Sequence, residues 1–443
     1  MAIDLSNEII ASDITSGTIS PEILGSGTAD STTYLRGDNT WATISAGGLT
    51  NFTEARITTA PNTATNVDSL SAGNGLSTTD IDIALLPKAN GAFLLNIPDS
   101  SITGGNKRGT NAIDLQISRT ANTQVASGNY AVAIGYSNTA SNTSATAIGR
   151  LNSASALGST ALGYQNTSSG SYSFSVGFSN TSSGNYSTSS GLSNIASGLY
   201  SVCLGNNNTA NQEGAISIGY QSFSTAICAV SLGQASTASG QDSVAIGRQN
   251  SASAISATAI GRSNTASGDY SVSIGYACTS SGDYSISLGT YANTFSQTGR
   301  IAFSSGRISA GGDIQKSFYI LKGRSSSATP KTLTSDNGSI TTASVIVLQN
   351  NNVFRFKGSI VGKQTGTTNI GVWDIDGVIV RGANAAATTL TISNINLVTN
   401  ASSWGTPTLT ADTTNGGLTI NVVGLAATNI QWIADVQTSE VIY

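Results

Sequence analysis

Asp374 and Asp376 are the side chains of this 443-residue chain best placed to do chemistry. They stand two residues apart in Gly371-Val372-Trp373-Asp374-Ile375-Asp376-Gly377-Val378-Ile379-Val380, a predicted strand, so both carboxylates leave one face. Paired carboxyl groups can cleave glycosides, one as acid and the other as base or nucleophile. The neighbours Trp373, Ile375 and Val378 support a plainer reading, a strand with apolar residues inward and acids outward. Asp435 and Glu440 have no better surroundings for catalysis. The chain has no histidine, which removes imidazole bases, histidine triads and histidine metal sites. Cys203, Cys228 and Cys278 are odd in number and scattered, so they give neither a disulfide framework nor a CxxC site. Cys203 replaces Ala or Ser at a small position and reads as a small buried hydrophobe. No phosphate loop or nucleophile motif is present. The expectation is a chain that is not an enzyme, with no cofactor and no metal.

The elements that would position these residues are dominated by a repeat. Gly135, Gly149, Gly163, Gly177, Gly191, Gly205, Gly219, Gly233, Gly247, Gly261, Gly275 and Gly289 stand fourteen residues apart without a slip. A period this short suits one coil of a β-solenoid, with two short strands and two turns. Two and four residues before each glycine the side chain is small, as in Ala131/Ala133, Ser201/Cys203 and Ser243/Ala245. One and three residues before, it is mostly larger and apolar or β-branched, as in Val132/Ile134, Phe174/Val176 and Ile286/Leu288. This period-two alternation makes a strand with two unlike faces. The expectation is that the large face fills the coil interior, that the small face lets a second copy approach, and that the glycine ends the strand. Association through the small face, as a symmetric homotrimer, follows from that reading.

Asn138, Asn152, Asn166, Asn180, Asn194, Asn208, Asn250 and Asn264 fall three residues after glycines. Asn suits turns and would stack into a ladder, a structural role weighed against a sugar or ion site. Tyr172, Tyr186, Tyr200, Tyr270 and Tyr284, with Phe174, form an aromatic series read as a stacked ladder rather than a sugar track. Thr188, Ser189 and Ser190 replace aliphatic residues and mark the softest coil. Twelve coils at the parallel-strand spacing give a rod on the order of 55–60 Å long.

Ala131-Val132-Ala133-Ile134-Gly135, Ser243-Val244-Ala245-Ile246-Gly247 and Ser271-Val272-Ser273-Ile274-Gly275 resemble the SVAIG repeat of the YadA-like head of trimeric autotransporter adhesins. The resemblance covers about residues 121–290. It implies a left-handed parallel β-roll packed as a trimer, and says little of function. Thr33-Tyr34-Leu35-Arg36-Gly37-Asp38-Asn39-Thr40-Trp41 is similar to the FLRGDGTW segment of bacteriophage tail fibres, with Tyr for Phe and Asn for Gly. It implies virion attachment through Tyr34, Leu35, Arg36, Gly37, Asp38 and Trp41. Read from the residues alone, it is a hairpin turn ahead of an aromatic anchor. Segments 354–364, 373–381 and 412–441 resemble a C-terminal domain common in phage structural proteins.

Charged residues make up only 9% of the chain and the net charge is −4, so no basic surface invites nucleic acid. No apolar run of eighteen residues predicts membrane insertion. The N-terminus lacks the pattern of a signal peptide, and no stalk or membrane anchor is expected. The expected organisation is an attachment segment over 1–45, a small β-rich shoulder over 46–118, the roll over 119–295 and a C-terminal antiparallel sandwich or jelly roll over 296–443. Residues 107–116 are expected to cap the first coil. The whole reads as an all-β, homotrimeric tail fibre of a phage virion. Its N-terminus would meet other tail or baseplate proteins. Its C-terminus would meet a host glycan or protein through a loop holding Trp404, Ser402 and Ser403. A capsid fibre, a bacterial surface adhesin and a depolymerase spike are the alternatives.

Overall fold

A computed structural model describes residues 90–400 and 404–443, together with four strands near the N-terminus. The chain divides into two units, Met1–Leu85 and Leu86–Tyr443. In the first, Thr33–Leu35 pairs antiparallel with Trp41–Thr43, and Phe52–Ile57 with Val67–Ala72. The expected hairpin is therefore present. Arg36, Gly37 and Asp38 lie outside the described residues.

The second unit opens with the solenoid. Five-residue strands run from Val132–Tyr136 to Ile286–Thr290, successive ones pairing in parallel at an offset of fourteen residues. Two-residue strands from Thr139–Ala140 to Thr279–Ser280 form the opposite sheet. The coil with Thr188 and Ser190 keeps its strand and its register. The glycine is the fourth residue of its strand rather than its end. At Gly135 φ is +116°, and a Cβ there would lie 2.1 Å from the carbonyl oxygen of Gly149. Glycine is thus demanded by contact between successive coils as well as by the bend.

The two faces are the reverse of expectation. Ala131, Ala133, Ala145, Ala147 and their equivalents, with Cys203 and the aligned serines, are the fully buried interior. Val132, Ile134 and their equivalents point outward and stay half-buried or exposed. The reason is width. Two strands joined by turns of two or a few residues face each other so closely that only Ala, Ser or Cys fits between. Many interior hydroxyls are hydrogen-bonded, as where Ser182 Oγ donates to the Phe174 carbonyl at 2.8 Å, while those of Ser243 and Ser271 are buried without a partner among the described residues.

The stack continues past both expected ends. Upstream, Phe93–Leu94 and Ile113–Gln116 join it in parallel. Downstream, Ile301–Ser305 pairs with Ile286–Thr290 after a one-residue insertion, so Ser304 and not Phe303 lies beside Gly289. From there the sheet turns antiparallel, in the order Ile301–Ser305, Ile314–Ser325, Ile430–Ile442, Asn352–Gln364, Ile370–Arg381, Thr388–Asn400. A smaller sheet of Lys331–Thr332, Ile346–Val347, Gly405–Asp412 and Gly417–Val423 covers its inner face. The core between them holds Phe354, Phe356, Ile360, Trp373, Trp404, Leu418 and Trp432. The C-terminal region is thus the expected antiparallel sandwich, and the described residues carry no α-helix. Gly405–Asp412 is a strand that the sequence pattern did not reveal.

Candidate functional site

The first candidate surface is the outward face of the five-residue strands. It carries Ile134, Ile148, Leu162, Val176, Leu204, Ile218, Leu232, Ile246, Ile260, Ile274 and Leu288 in one register row. Only Ser190 breaks the apolar run. Beside it, the residues after each glycine form a second row in which cations sit against rings. The Arg150 guanidinium lies 5.3 Å from Tyr136 and 5.4 Å from Tyr164, and Arg262 lies 5.5 Å from Tyr276.

The asparagine row is a buried ladder. Asn152 Nδ2 donates to the Ile148 carbonyl at 2.9 Å, the Gly163 carbonyl at 2.6 Å and Asn138 Oδ1 at 3.2 Å. The next coil's Asn166 N–H in turn donates to Asn152 Oδ1 at 2.9 Å. Each amide is consumed by the fold and buried from solvent, so the structural role holds and no ligand is reached. Ser222, Ser236 and Cys278 interrupt the row.

The tyrosines stack face to face: Tyr172 on Tyr186 at 5.5 Å, Tyr186 on Tyr200 at 5.2 Å and Tyr270 on Tyr284 at 5.2 Å. Each sits at a coil corner with φ between +56° and +58°. Stacking covers the ring faces on which a sugar would lie, so the series behaves as the structural ladder expected of it. Phe174 lies on the outward strand face and is not part of this stack.

At the far end, Trp404 is not on the surface. It is 3% exposed and packs 5.3 Å from Trp432 in the sandwich core. Asn400 clamps it, with its Nδ2 donating to the Trp404 carbonyl at 2.9 Å and its Oδ1 accepting from the Trp404 N–H at 3.1 Å. Gly362 and Gly371 make the slot, since a Cβ on either would come within about 3 Å of the indole. This burial removes Trp404 as a receptor contact. Ser402 and Ser403 lie outside the described residues.

Asp374 and Asp376 do leave the same outward face, with Trp373 and Ile375 buried beneath. Asp376 pairs with Arg355 at 2.9 Å, and Asn394 Nδ2 donates to it at 3.2 Å. Asp435 accepts from Ser359 Oγ on the same face, whereas Glu440 is buried against Arg300. Burial pushes the Cys203 thiol up to about 12, so it is inert packing. Among the described residues no group of three or more carboxylates and cysteines could hold a metal.

A family model described as the YadA head domain repeat (2 copies) matches residues 126–151, 154–180, 196–222, 229–250 and 252–277. No curated protein matches the sequence. Among solved structures, the chain is similar to a tailspike protein, gp49 from Acinetobacter baumannii bacteriophage Fri1, a capsular polysaccharide depolymerase. The identity is 9%, over 87% of this chain and 74% of that one, with a TM-score of 0.22. That likeness is too low to transfer an activity. It nevertheless sets an enzyme beside this chain, so the expectation of a chain that is not an enzyme is withdrawn. The five matched segments all lie in the solenoid, which is thus similar to the YadA head domain repeat.

Proposed function

We propose that this chain is the subunit of a homotrimeric bacteriophage tail fibre that recognises a host surface. The observation that supports it best is the outward row of Ile, Leu and Val along the repeat. A row of eleven such side chains, half-buried or exposed, is an apolar strip of the kind that marks an interaction surface. Three copies joined along it, about a common axis, would bury the row while leaving the tyrosine corners in water. The hairpin of Thr33–Leu35 and Trp41–Thr43 takes the docking role at the virion. The C-terminal sandwich takes host recognition through its outward sheet face, because its core residues, Trp404 included, are withdrawn from solvent.

The test is immunogold electron microscopy of particles, with an antibody raised against residues 300–443. Gold at the free ends of tail appendages is the expected result. Gold around the head would replace this reading with a capsid fibre, and gold confined to cell surfaces would replace it with an adhesin.

A further inference from the structure

The outward face of the sandwich carries a groove of about 680 Å³. Two register rows cross its floor. In one, Lys322 stands opposite Ile433 and Ile433 opposite Val361. In the next, Arg324 stands opposite Gln431 and Gln431 opposite Lys363. Strands lie about 4.8 Å apart, so Arg324 and Lys363 straddle Gln431 with backbones roughly 10 Å apart. The wall is the turn at Asp336 and Asn337. Lys322 and Thr334 hold it there by exchanging backbone hydrogen bonds at 2.8 and 3.1 Å.

Three cations meet one carboxylate here, in a chain whose overall charge is −4. Among the described residues, Lys322 and Arg324 make no ion pair and no side-chain hydrogen bond, and Lys363 reaches only the Thr367 carbonyl at 2.9 Å. The backbone N–H of Gly338, with a smaller contribution from Lys322, holds the Asp336 carboxyl below the usual range. Asp336 is therefore an ionised acceptor at neutral pH.

We infer that this groove binds an anionic saccharide, one bearing carboxylate or phosphate groups on a hydroxyl-rich ring. Arg324 presents the planar fork that carboxylates and phosphates accept in bidentate fashion, with Lys322 and Lys363 flanking it. Gln431 and Asn337 offer amides to hydroxyl groups. Asp336 accepts from a hydroxyl and disfavours a bare anion. Ile433 and Val361 give a small apolar floor for a ring's C–H face. A neutral sugar would not need three cations, and an anion without hydroxyls would leave Asp336 opposed.

The inference rests on the host-recognition reading of this domain, and two measurements separate them. The first is calorimetric titration of the full chain with oligogalacturonate, oligosialic acid and a phosphorylated oligomannose, each beside a neutral counterpart. Binding confined to the anionic members, and weakened about tenfold or more by Arg324→Gln or Lys363→Gln, is expected. Comparison among the anionic probes tells carboxylate from phosphate. Failure of all three to bind, equal binding of neutral counterparts, or indifference to both substitutions overturns the inference. So does a changed sedimentation coefficient in the variants, which would make the groove a contact between copies. The second is adsorption of labelled chain to encapsulated and capsule-free bacterial strains. Adsorption that ignores the anionic competitors and both substitutions sinks the groove and keeps host recognition. Saccharide binding without adsorption to any strain does the reverse.

Discussion

A fourteen-residue coil leaves almost no slack at the level of single residues. Each repeat glycine faces the next coil's carbonyl oxygen, and at Gly219 an added Cβ would lie 1.9 Å from the oxygen of Gly233. Its φ of +129° adds backbone strain for any other residue. Gly219→Ala should therefore destabilise the roll by about 3 kcal/mol or more, read as a lower urea midpoint by circular dichroism. An unchanged midpoint would mean that the coils can part without cost. The asparagines are as tightly used, with amide donors and acceptor all spent on backbone and on the neighbouring amides. Natural Ser222 and Ser236 show how the row tolerates a smaller partner: each hydroxyl still donates to the next coil's glycine carbonyl, at 3.0 and 3.2 Å.

At the level of elements, the difficulty is ending a solenoid, because an open coil presents unpaired strand edges and an unfilled interior. A buried ion pair lies near each end here. Upstream, Asp114 stands in register with Ala133 and accepts from Arg108 Nε at 2.6 Å. Gln116 starts the asparagine ladder, its Oε1 accepting from the Asn138 N–H at 2.6 Å. Residues 107–116, expected to cap the roll, instead contribute a strand within the stack, and Phe93–Leu94 pairs beyond them. Downstream, Arg300 directly precedes the last parallel strand and pairs with Glu440 on the final strand of the sandwich. Its guanidinium sits 5.3 Å from both the Phe295 and Tyr319 rings. Gln315 and Thr438 also donate to Glu440, at 2.9 and 2.6 Å. Arg300→Leu should cost about 3–5 kcal/mol because it strands a buried carboxylate. Arg300→Leu with Glu440→Leu should recover most of that loss. Equal midpoints for the single and double variants would show that the pair is not what joins roll to sandwich.

Across the whole molecule, the reversal of the roll's faces changes where the proposed association would occur. With Ala and Ser filling the interior, the β-branched and aliphatic residues are left outside, and they carry the proposed trimer contact. A buried Ile contributes about 1.5–3 kcal/mol relative to an exposed one, and a trimer would bury each row position three times. Ile246→Lys together with Ile260→Lys should shift the sedimenting species from trimer to monomer. A wild-type chain that sediments as a monomer would end the trimer proposal outright.

The sequence by itself determined the repeat, its period, the two-faced strand and the antiparallel sandwich, because each is written as a local pattern of residue size, glycine and turn signals. It also showed the asparagine ladder, since residues at a fixed period in stacked coils must meet. It could not decide which face of the strand is inside. Alternation specifies two faces, whereas the gap between the two sheets, narrow here, decides which residues fit between them. Nor could it place Trp404, whose burial depends on Gly362, Gly371 and Trp432 arriving from other strands. The groove of Lys322, Arg324 and Lys363 was equally illegible. Lys363 is about forty residues from Lys322 and Arg324 in the chain, and only the pairing of Ile314–Ser325 and Asn352–Gln364 on either side of Ile430–Ile442 brings them together. Such charge clusters arise from long-range register, which tertiary structure alone supplies.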